Sequence, residues 1–220
     1  MSKPQGIFHT KAEATHELVA KVLVQGAIGA AATYFYFSIR SEKRLCRVKK
    51  LADDSAWVAR AMCAYMAADL LRVLRLKESS TAVHHVLTFL MAASWLKSHR
   101  RDTRSKIATT QAGMLAIMVE INTTFYHAMR GARRIGNEQL VQFFAAMTLA
   151  TIPGFRILNL LQALLLMHEN WRKKRVSLSM LTGSFAIFIA SSYYTPLFYN
   201  SAVRAFHNKG KETGGKPTNG

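Results

Sequence analysis

The chain has 220 residues, 50% of them hydrophobic, and its 30 Lys and Arg residues against 12 Asp and Glu residues give a formal net charge of +18. The basic residues form short blocks between long apolar runs. This pattern is typical of a membrane protein and argues against a nucleic-acid-binding protein, whose charge follows one face or helix. The two cysteines, Cys46 and Cys63, provide neither a disulfide framework nor a metal-binding pair.

Six apolar segments predict an all-α fold, a polytopic membrane helix bundle with about six transmembrane helices. Crossing a hydrocarbon core of about 30 Å takes roughly 20 helical residues. Four segments reach this range. The other two segments, 56–71 and 82–96, predict helices, but their length does not decide whether they cross the whole membrane. In chain order the six segments are residues 22–39, 56–71, 82–96, 107–129, 140–167 and 176–199.

The first and fifth segments carry features that predict how they pack. Residues 22–39 contain Gly26 and Gly29 among several alanines, and such small residues let another helix approach closely, as a docking surface for a partner would require. In residues 140–167, Pro153 lacks a backbone donor and clashes with the preceding helical turn, so we expect a kink there.

The apolar segments fall within one predicted membrane unit, residues 18–200. A polar N-terminal segment, residues 1–17, precedes it, and a basic tail rich in Gly and Lys, residues 201–220, follows it. The N-terminal segment has neither the apolar stretch of a secretory signal nor the acid-poor composition of a cleaved transit peptide. We therefore expect internal signals to direct the protein to its membrane.

Three basic blocks follow the first, third and fifth apolar segments, and they share one side of the membrane if all six segments span. Further basic residues follow the second and fourth segments, so both surfaces are predicted to be basic. Such loops suit anionic lipid headgroups, including cardiolipin, or acidic partner surfaces, and they equally suit ordinary solvated loops. The candidate residues for headgroup or partner binding are Arg44, Arg47, Lys49, Lys50, Arg100, Arg101, Arg104, Arg172, Lys173, Lys174 and Arg175.

Two adjacent histidines, His84 and His85, stand near the start of the third segment. Successive helical residues point about 100° apart, so the two side chains cannot readily bind one metal ion together. Paired metal ligands on a helix are usually three or four residues apart, and four residues after His84 stands Thr88. No metal site and no cofactor is therefore predicted. Hydrogen-bonded histidines between helices and the lining of a substrate or lipid pocket both remain as interpretations.

Ionisable side chains at membrane depth are costly, so each one indicates a partner or a pocket. Asp69 is expected to pair with Arg72 at i+3, and its carboxylate also lies one short loop before His84. Glu120 shares a helical face with Thr124 and His127, and a structural ion pair with Arg156 is favoured for it over a catalytic role. The predicted polar pocket, within the bundle or around a lipid, comprises Asp69, His84, His85, Glu120, Asn122, His127 and Arg156.

The order of these features resembles the TLC-domain family of multipass membrane proteins. The stretch "AYMAADLL", 64–71, precedes the histidine pair in "HHVLTFL", 84–90, and "EINTTF", 120–125, and an intramembrane Arg156 follow. The resemblance covers roughly residues 18–200, and the order of its motifs is more specific than any one of them. It implies a helical membrane bundle whose function is linked to membrane lipids.

The chain departs from the ceramide synthases of that family. In those enzymes a histidine–aspartate motif and further acidic residues on the next helix follow the histidine pair, whereas Glu120 is the single acidic residue in positions 105–125 here. Thr124 stands where many relatives carry proline. The resemblance therefore implies a relative outside the ceramide synthases, and acyl transfer to a sphingoid base is not expected.

The sequence predicts a non-catalytic, lipid-associated integral membrane protein, an accessory subunit of a larger membrane complex such as a respiratory-chain complex or an ATP synthase. Its partners would be membrane lipids and protein subunits, without nucleic acid. The mitochondrial inner membrane, rich in anionic cardiolipin, is slightly favoured over the endoplasmic reticulum. The alternative is a regulator of membrane lipid composition or an acyltransferase-like enzyme, with His84 or His85 as general base and Glu120 or Asp69 orienting it.

Overall fold

The computed structural model describes residues 15–75, 79–98 and 102–207. All regular structure in these ranges is helical, which confirms the predicted all-α class. Most of the predicted terminal segments, together with Arg100 and Arg101, lies outside the described residues. The helices are α1 (Thr15–Ser41), α2 (Leu45–Asp54), α3 (Ala56–Arg75), α4 (Ser79–Ser98), α5 (Thr103–Ile117), α6 (Val119–Arg134), α7 (Glu138–Thr151), a π-helical segment (Ile152–Leu158), α8 (Asn159–Arg172) and α9 (Leu178–His207).

Each of the six predicted apolar segments coincides with a helix or with consecutive helices. The helices at the two short segments are longer than predicted. Helices α3 and α4 each contain 20 residues, a length of about 30 Å at the α-helical rise. Within the described residues, two helices are both long and apolar enough to cross a membrane, namely Thr15–Ser41 and the continuous stretch Glu138–Arg172, each with a mean hydropathy of 1.5. This finding supports an association with a membrane.

The helices form six rods, because α5 with α6, and α7 with α8, are nearly continuous and α2 is a short side helix. Contacts link the rods in the order α1, α3, α4, α9 and α7–α8, and α5–α6 closes the bundle between α7–α8 and α1. Most side chains of α5 and α6 are buried or half-buried, whereas the other rods expose one apolar side. The polar residues of α6 are therefore held inside the bundle.

Two local irregularities interrupt the long rods. Pro153 cannot donate the backbone hydrogen bond that a regular helix requires, and the chain winds there into the π-helical segment Ile152–Leu158. The sequence predicted a kink at this residue, and the π-helical form was not predicted. The second irregularity, a turn at Met118 between α5 and α6, follows no proline or glycine and was not predicted.

Helix α2 lies where the sequence predicted a basic loop. It is amphipathic, since Val48 and Ala52 are buried against Ile39 of α1 while Arg47, Lys49 and Lys50 point outward. The apolar positions four residues apart are the signal for this helix. Helix α2 was not predicted because the many Lys and Arg residues around Val48 and Ala52 suggested a loop.

The small residues of α1 serve packing within the chain. A Cβ atom added to Gly29 would lie 2.8 Å from Cγ1 and 3.1 Å from the backbone nitrogen of Ile121 on α6. Gly29 thus lets α1 and α6 approach closely, as the small-residue pattern predicted. The partner at this position is a helix of the same chain, so Gly29 is not available as a docking surface for another protein.

We expect Gly29→Ala to destabilise the protein by about 1–3 kcal/mol, because the added methyl group forces α1 and α6 apart. Gly131→Ala is the matched control: a Cβ atom there meets no atom within 4 Å, and replacing a helical glycine by alanine stabilises by about 0.5–1 kcal/mol. Thermal unfolding of the purified protein in detergent measures both. Equal changes in the two variants would contradict the close approach.

Candidate functional site

Asp69 of α3 is the centre of a buried charge cluster that joins three helices. Its Oδ1 atom accepts a hydrogen bond from Nε of Arg72 at 2.7 Å and lies 3.4 Å from Nζ of Lys21 on α1. Its Oδ2 atom lies 2.7 Å from Nε2 of His85 on α4. The predicted pair with Arg72 is present. The histidine that meets Asp69 is His85, whereas the sequence analysis placed the carboxylate near His84.

Both ring nitrogens of His85 are engaged. Nδ1 faces the backbone oxygen of Thr81 at 2.7 Å, and Nε2 faces Asp69 at the same distance. A carbonyl oxygen only accepts hydrogen bonds, so Nδ1 donates to Thr81. His85 therefore has no free nitrogen for a bound molecule in this arrangement.

His84 has a different environment. Its ring packs edge-on against the ring of Tyr194 on α9, with centroids 5.4 Å apart. Its Nδ1 atom is buried and has no hydrogen-bond partner among the described residues. Of the two histidines, His84 is the one whose polar atom remains available to a bound molecule.

Arg156, in the π-helical segment, is 3% exposed. One of its terminal nitrogens lies 3.3 Å from Oδ1 of Asn122 and 3.5 Å from Oγ1 of Thr123. Its guanidinium carbon lies 4.1 Å from the ring centroid of Phe198 on α9, a cation–π contact. No direct ion pair joins Glu120 and Arg156 among the described residues, although their opposite charges attract each other across the polar cavity.

Some polar side chains of α6 pack against neighbouring helices, and others line a cavity. Asn122 donates to the backbone oxygen of Thr148 and to Oγ1 of Thr151, both at 2.9 Å, which fixes α6 to α7. Thr124 packs toward α1 beside Gly26. Glu120 and His127 line a cavity, whereas Thr124 does not. Of the three residues predicted to lie on one helical face, two therefore point toward the same space.

Two adjoining cavities lie inside the bundle. The polar cavity, about 90 Å³, has lining residues from every rod, among them Lys21, Asp69, His85, Arg130 and Arg156. The apolar cavity, about 60 Å³, is lined mainly by Met, Ala, Leu and Ile side chains and by Trp95. His84 and Glu120 line both cavities and so mark their border.

The cavities follow one another along the bundle. The polar cavity lies beside the end of α3 and the beginning of α4, where Asp69 and Thr81 line it. The apolar cavity extends along α4 from His84 to Trp95, a distance of roughly 16 Å at the helical rise. A molecule that reaches into both cavities would have a polar group in the first and an apolar group in the second.

Several buried polar atoms of the cavity walls have no hydrogen-bond partner among the described residues. They are Nδ1 of His84, Oε2 of Glu120, Nε of Arg156, Oε1 of Gln25 and Oγ1 of Thr88. More than nine in ten buried polar groups in proteins have a partner, so a group of exceptions around one space is informative. These atoms are the ones that a bound molecule would contact.

The basic blocks gather at the opposite end of the bundle from the polar cavity. Asp53 of α2 pairs with Lys106 of α5 at 2.5 Å, and Arg104 lines a surface cleft together with Arg175. Asp102 caps α5, and its hydrogen bond from Ser105 holds the pKa of the Asp102 carboxyl below its usual value. The candidate residues Arg44, Arg47, Lys49, Lys50, Arg104, Arg172, Lys173 and Lys174 are exposed, and Arg175 is half-buried.

Several residues of the polar cavity were not predicted from the sequence. Lys21 was placed outside the first apolar segment, yet it is 8% exposed and contacts Asp69. Its spacing of four residues from the buried Gln25 was a usable signal. Tyr194 and Phe198 share the same spacing on α9, and no sequence pattern distinguished them from other aromatic residues there.

Among the described residues, no group of three or more His, Cys, Asp or Glu side chains is arranged to hold a metal ion. No protein-family model, curated protein or solved structure matches the chain.

We expect Asp69→Asn to destabilise the protein by about 3 kcal/mol or more, because it leaves three partly or fully buried basic groups without their carboxylate. Asp53→Asn is the control. It removes a carboxylate of the same type from a pair in which Asp53 is 46% exposed, and exposed pairs contribute only about 0–1 kcal/mol. Thermal unfolding in detergent distinguishes the two. Similar losses in both variants would contradict the role of the cluster.

Proposed function

We propose that the chain is an integral membrane protein with about six spans, resembling the TLC-domain proteins, that holds one amphipathic lipid inside its bundle without catalysing a reaction. The observation that carries the proposal is the junction of a polar and an apolar cavity at His84 and Glu120. An amphipathic lipid has the matching division, a polar headgroup continuous with an apolar chain.

The outer surface of the bundle supports the membrane part of the proposal. Large apolar side chains are exposed on every rod except α5–α6, and contiguous patches of this kind are rare on soluble monomers. In a bilayer the same side chains face lipid. Examples of more than half exposure are Leu23, Leu71, Val83, Phe143, Leu165 and Ile189.

The environments of the two histidines support a binding role over a catalytic one. A general base needs a free nitrogen and a group that orients it. Asp69, the obvious orienting group, is occupied by His85, Arg72 and Lys21. His84 has the free nitrogen, and no carboxylate hydrogen-bonds to its ring among the described residues.

An acyltransferase-like enzyme is the second candidate. One observation favours it: His84 and Glu120 line the same border between the two cavities. Residues in that place would meet the junction of headgroup and chain, where an acyl bond lies. In this reading His84 is the base and Glu120 its orienting group, with His85 and Asp69 in a structural role.

The accessory-subunit role and the mitochondrial inner membrane stay part of the proposal. Exposed basic side chains at one end of the bundle, such as Arg47 and Lys50 of α2, support binding to anionic lipid headgroups or to acidic surfaces of neighbouring subunits. A lipid held inside such a subunit would stabilise its bundle within a larger assembly, since a ligand that binds only the folded state stabilises it.

A lipid chain in the apolar cavity is expected to quench the fluorescence of Trp95 when it carries bromine atoms. The other two tryptophans, Trp57 and Trp171, are 46% and 39% exposed and are replaced by Phe in the test protein. A dibrominated monoacylglycerol, titrated into protein in unbrominated nanodiscs, should quench Trp95 saturably.

The matched variants of that test add the same side chain at two places. Ala116→Leu narrows the apolar cavity near its border with the polar one and should weaken quenching by at least about tenfold, since occluding the chain site removes buried apolar contacts. Ala146→Leu changes an exposed site on α7 and should leave quenching unchanged. Quenching that is absent, or unaffected by Ala116→Leu, would refute an internal lipid.

Mild detergent purification of the tagged protein from its native membrane tests the subunit role. We expect stoichiometric co-migration with a large complex on native gels and its proteins in mass spectrometry. The purified material should not turn over acyl-CoA with lipid acceptors. Recovery as a free monomer would refute the subunit role. Acyl transfer that His84→Ala abolishes would replace the binding function by the enzyme.

A further inference from the structure

We infer that the polar cavity binds an anionic headgroup, a carboxylate or a phosphate, with Arg156 as its counterion. The inference rests on the proposed function and specifies the chemical class of the lipid. Its basis is a buried guanidinium group without a paired acid, in a cavity whose lining has an excess of positive charge.

The formal charges of the lining favour an anion. Among the described residues around the polar cavity, four side chains carry a formal positive charge, namely Lys21, Arg72, Arg130 and Arg156, and two carry a negative charge, Asp69 and Glu120. The histidines can only add positive charge. Lys21 and Arg72 pair with Asp69, and Arg130 has a further interaction of its own. Arg156 is therefore the lining cation that an anionic headgroup would serve.

The carboxylate of Asp69 is already used. Its two oxygens contact Arg72, Lys21 and His85 at 2.7–3.4 Å. Asp69 thus pairs with two of the lining cations, Lys21 and Arg72, and makes no contact with Arg156. The remaining acid, Glu120, makes no direct ion pair with Arg156 among the described residues, and the two charges attract each other at longer range.

Arg156 itself is placed to receive a ligand. It is 3% exposed, and the partners of its Nη1 atom are neutral oxygens at 3.3 and 3.5 Å. Its Nε atom is buried and has no hydrogen-bond partner among the described residues. A guanidinium group offers paired donors that match the two oxygens of a carboxylate or phosphate, so the unused Nε–H fits such a headgroup.

The position of Arg156 also fits the proposed direction of the lipid. The side chain rests on the ring of Phe198, which lines the polar cavity, and takes no part in lining the apolar cavity. Glu120, by contrast, lines both cavities. A headgroup at Arg156 would therefore place its chain past His84 and Glu120 into the apolar cavity. Glu120 would then repel the bound anion.

The experiment uses the Trp95 reporter protein with three ligands that share one dibrominated chain. They are the fatty acid, the lysophosphatidate and the monoacylglycerol, which carry a carboxylate, a phosphate and a neutral headgroup. The two anions should saturate the quenching at concentrations about tenfold lower than the neutral lipid, because hydrogen bonds between charged groups are stronger than those to a neutral group. The tighter of the two anions identifies the headgroup.

Variants locate the charge that is responsible. Arg156→Gln should remove the preference for anions and leave the half-saturation concentration of the monoacylglycerol unchanged. Arg60→Gln is the control, since Arg60 is an exposed arginine of α3 that lines neither cavity. Should Arg156→Gln fail to fold, Glu120→Gln gives an independent test, because removing the repelling carboxylate should strengthen binding of the anions and not of the neutral lipid.

The outcomes separate this inference from the proposed function. Equal affinities for the three ligands, an equal effect of Arg156→Gln on all of them, or weaker anion binding in Glu120→Gln would refute the anion site and leave an internal lipid standing. An anion preference that Arg60→Gln removes as well would also refute it. Absence of quenching by every ligand would refute the proposed function together with this inference.

Discussion

The interior of the bundle depends on the burial of the Asp69 carboxylate. A charge taken out of water requires partners with good geometry, and Asp69 finds them on α1, α3 and α4 at once. None of these helices can move away without leaving a buried charge uncompensated. Because the cluster uses both oxygens of Asp69 and both ring nitrogens of His85, the polar atoms that remain available around it belong to other residues, chiefly His84 and Arg156.

The position of the Asp69 cluster also determines where the polar and the apolar cavity lie. The charge cluster occupies one end of the bundle, where α3 ends and α4 begins, and the apolar side chains of α4, α5, α8 and α9 surround the space beyond it. The π-helical segment contributes Arg156, which lines the polar cavity and makes no direct ion pair with an acid among the described residues. A gradient from charged to apolar along one axis is the property that a lipid molecule also has.

The sequence predicted where the helices lie but not which side chains of different helices contact one another. Long apolar runs predicted every rod, and Pro153 predicted the place where one rod changes its winding. Spacing along one helix predicted the pair of Asp69 with Arg72. Contacts between helices depend on the rotation of each rod about its axis, which spacing within a helix does not specify. For that reason the choice of His85 over His84 and the partners of Arg156 emerged only from the structure.

The same distinction bears on catalysis. Two adjacent histidines on a helix point about 100° apart, so a single carboxylate can hold one of them and not the other. Here Asp69 holds His85, which becomes part of the scaffold. His84 then has a free nitrogen and no orienting acid bonded to its ring. A histidine with a free nitrogen can bind a polar headgroup by hydrogen bonding, whereas a general base also needs a group that orients it. The same side chain thus suits a binding site more directly than a catalytic one.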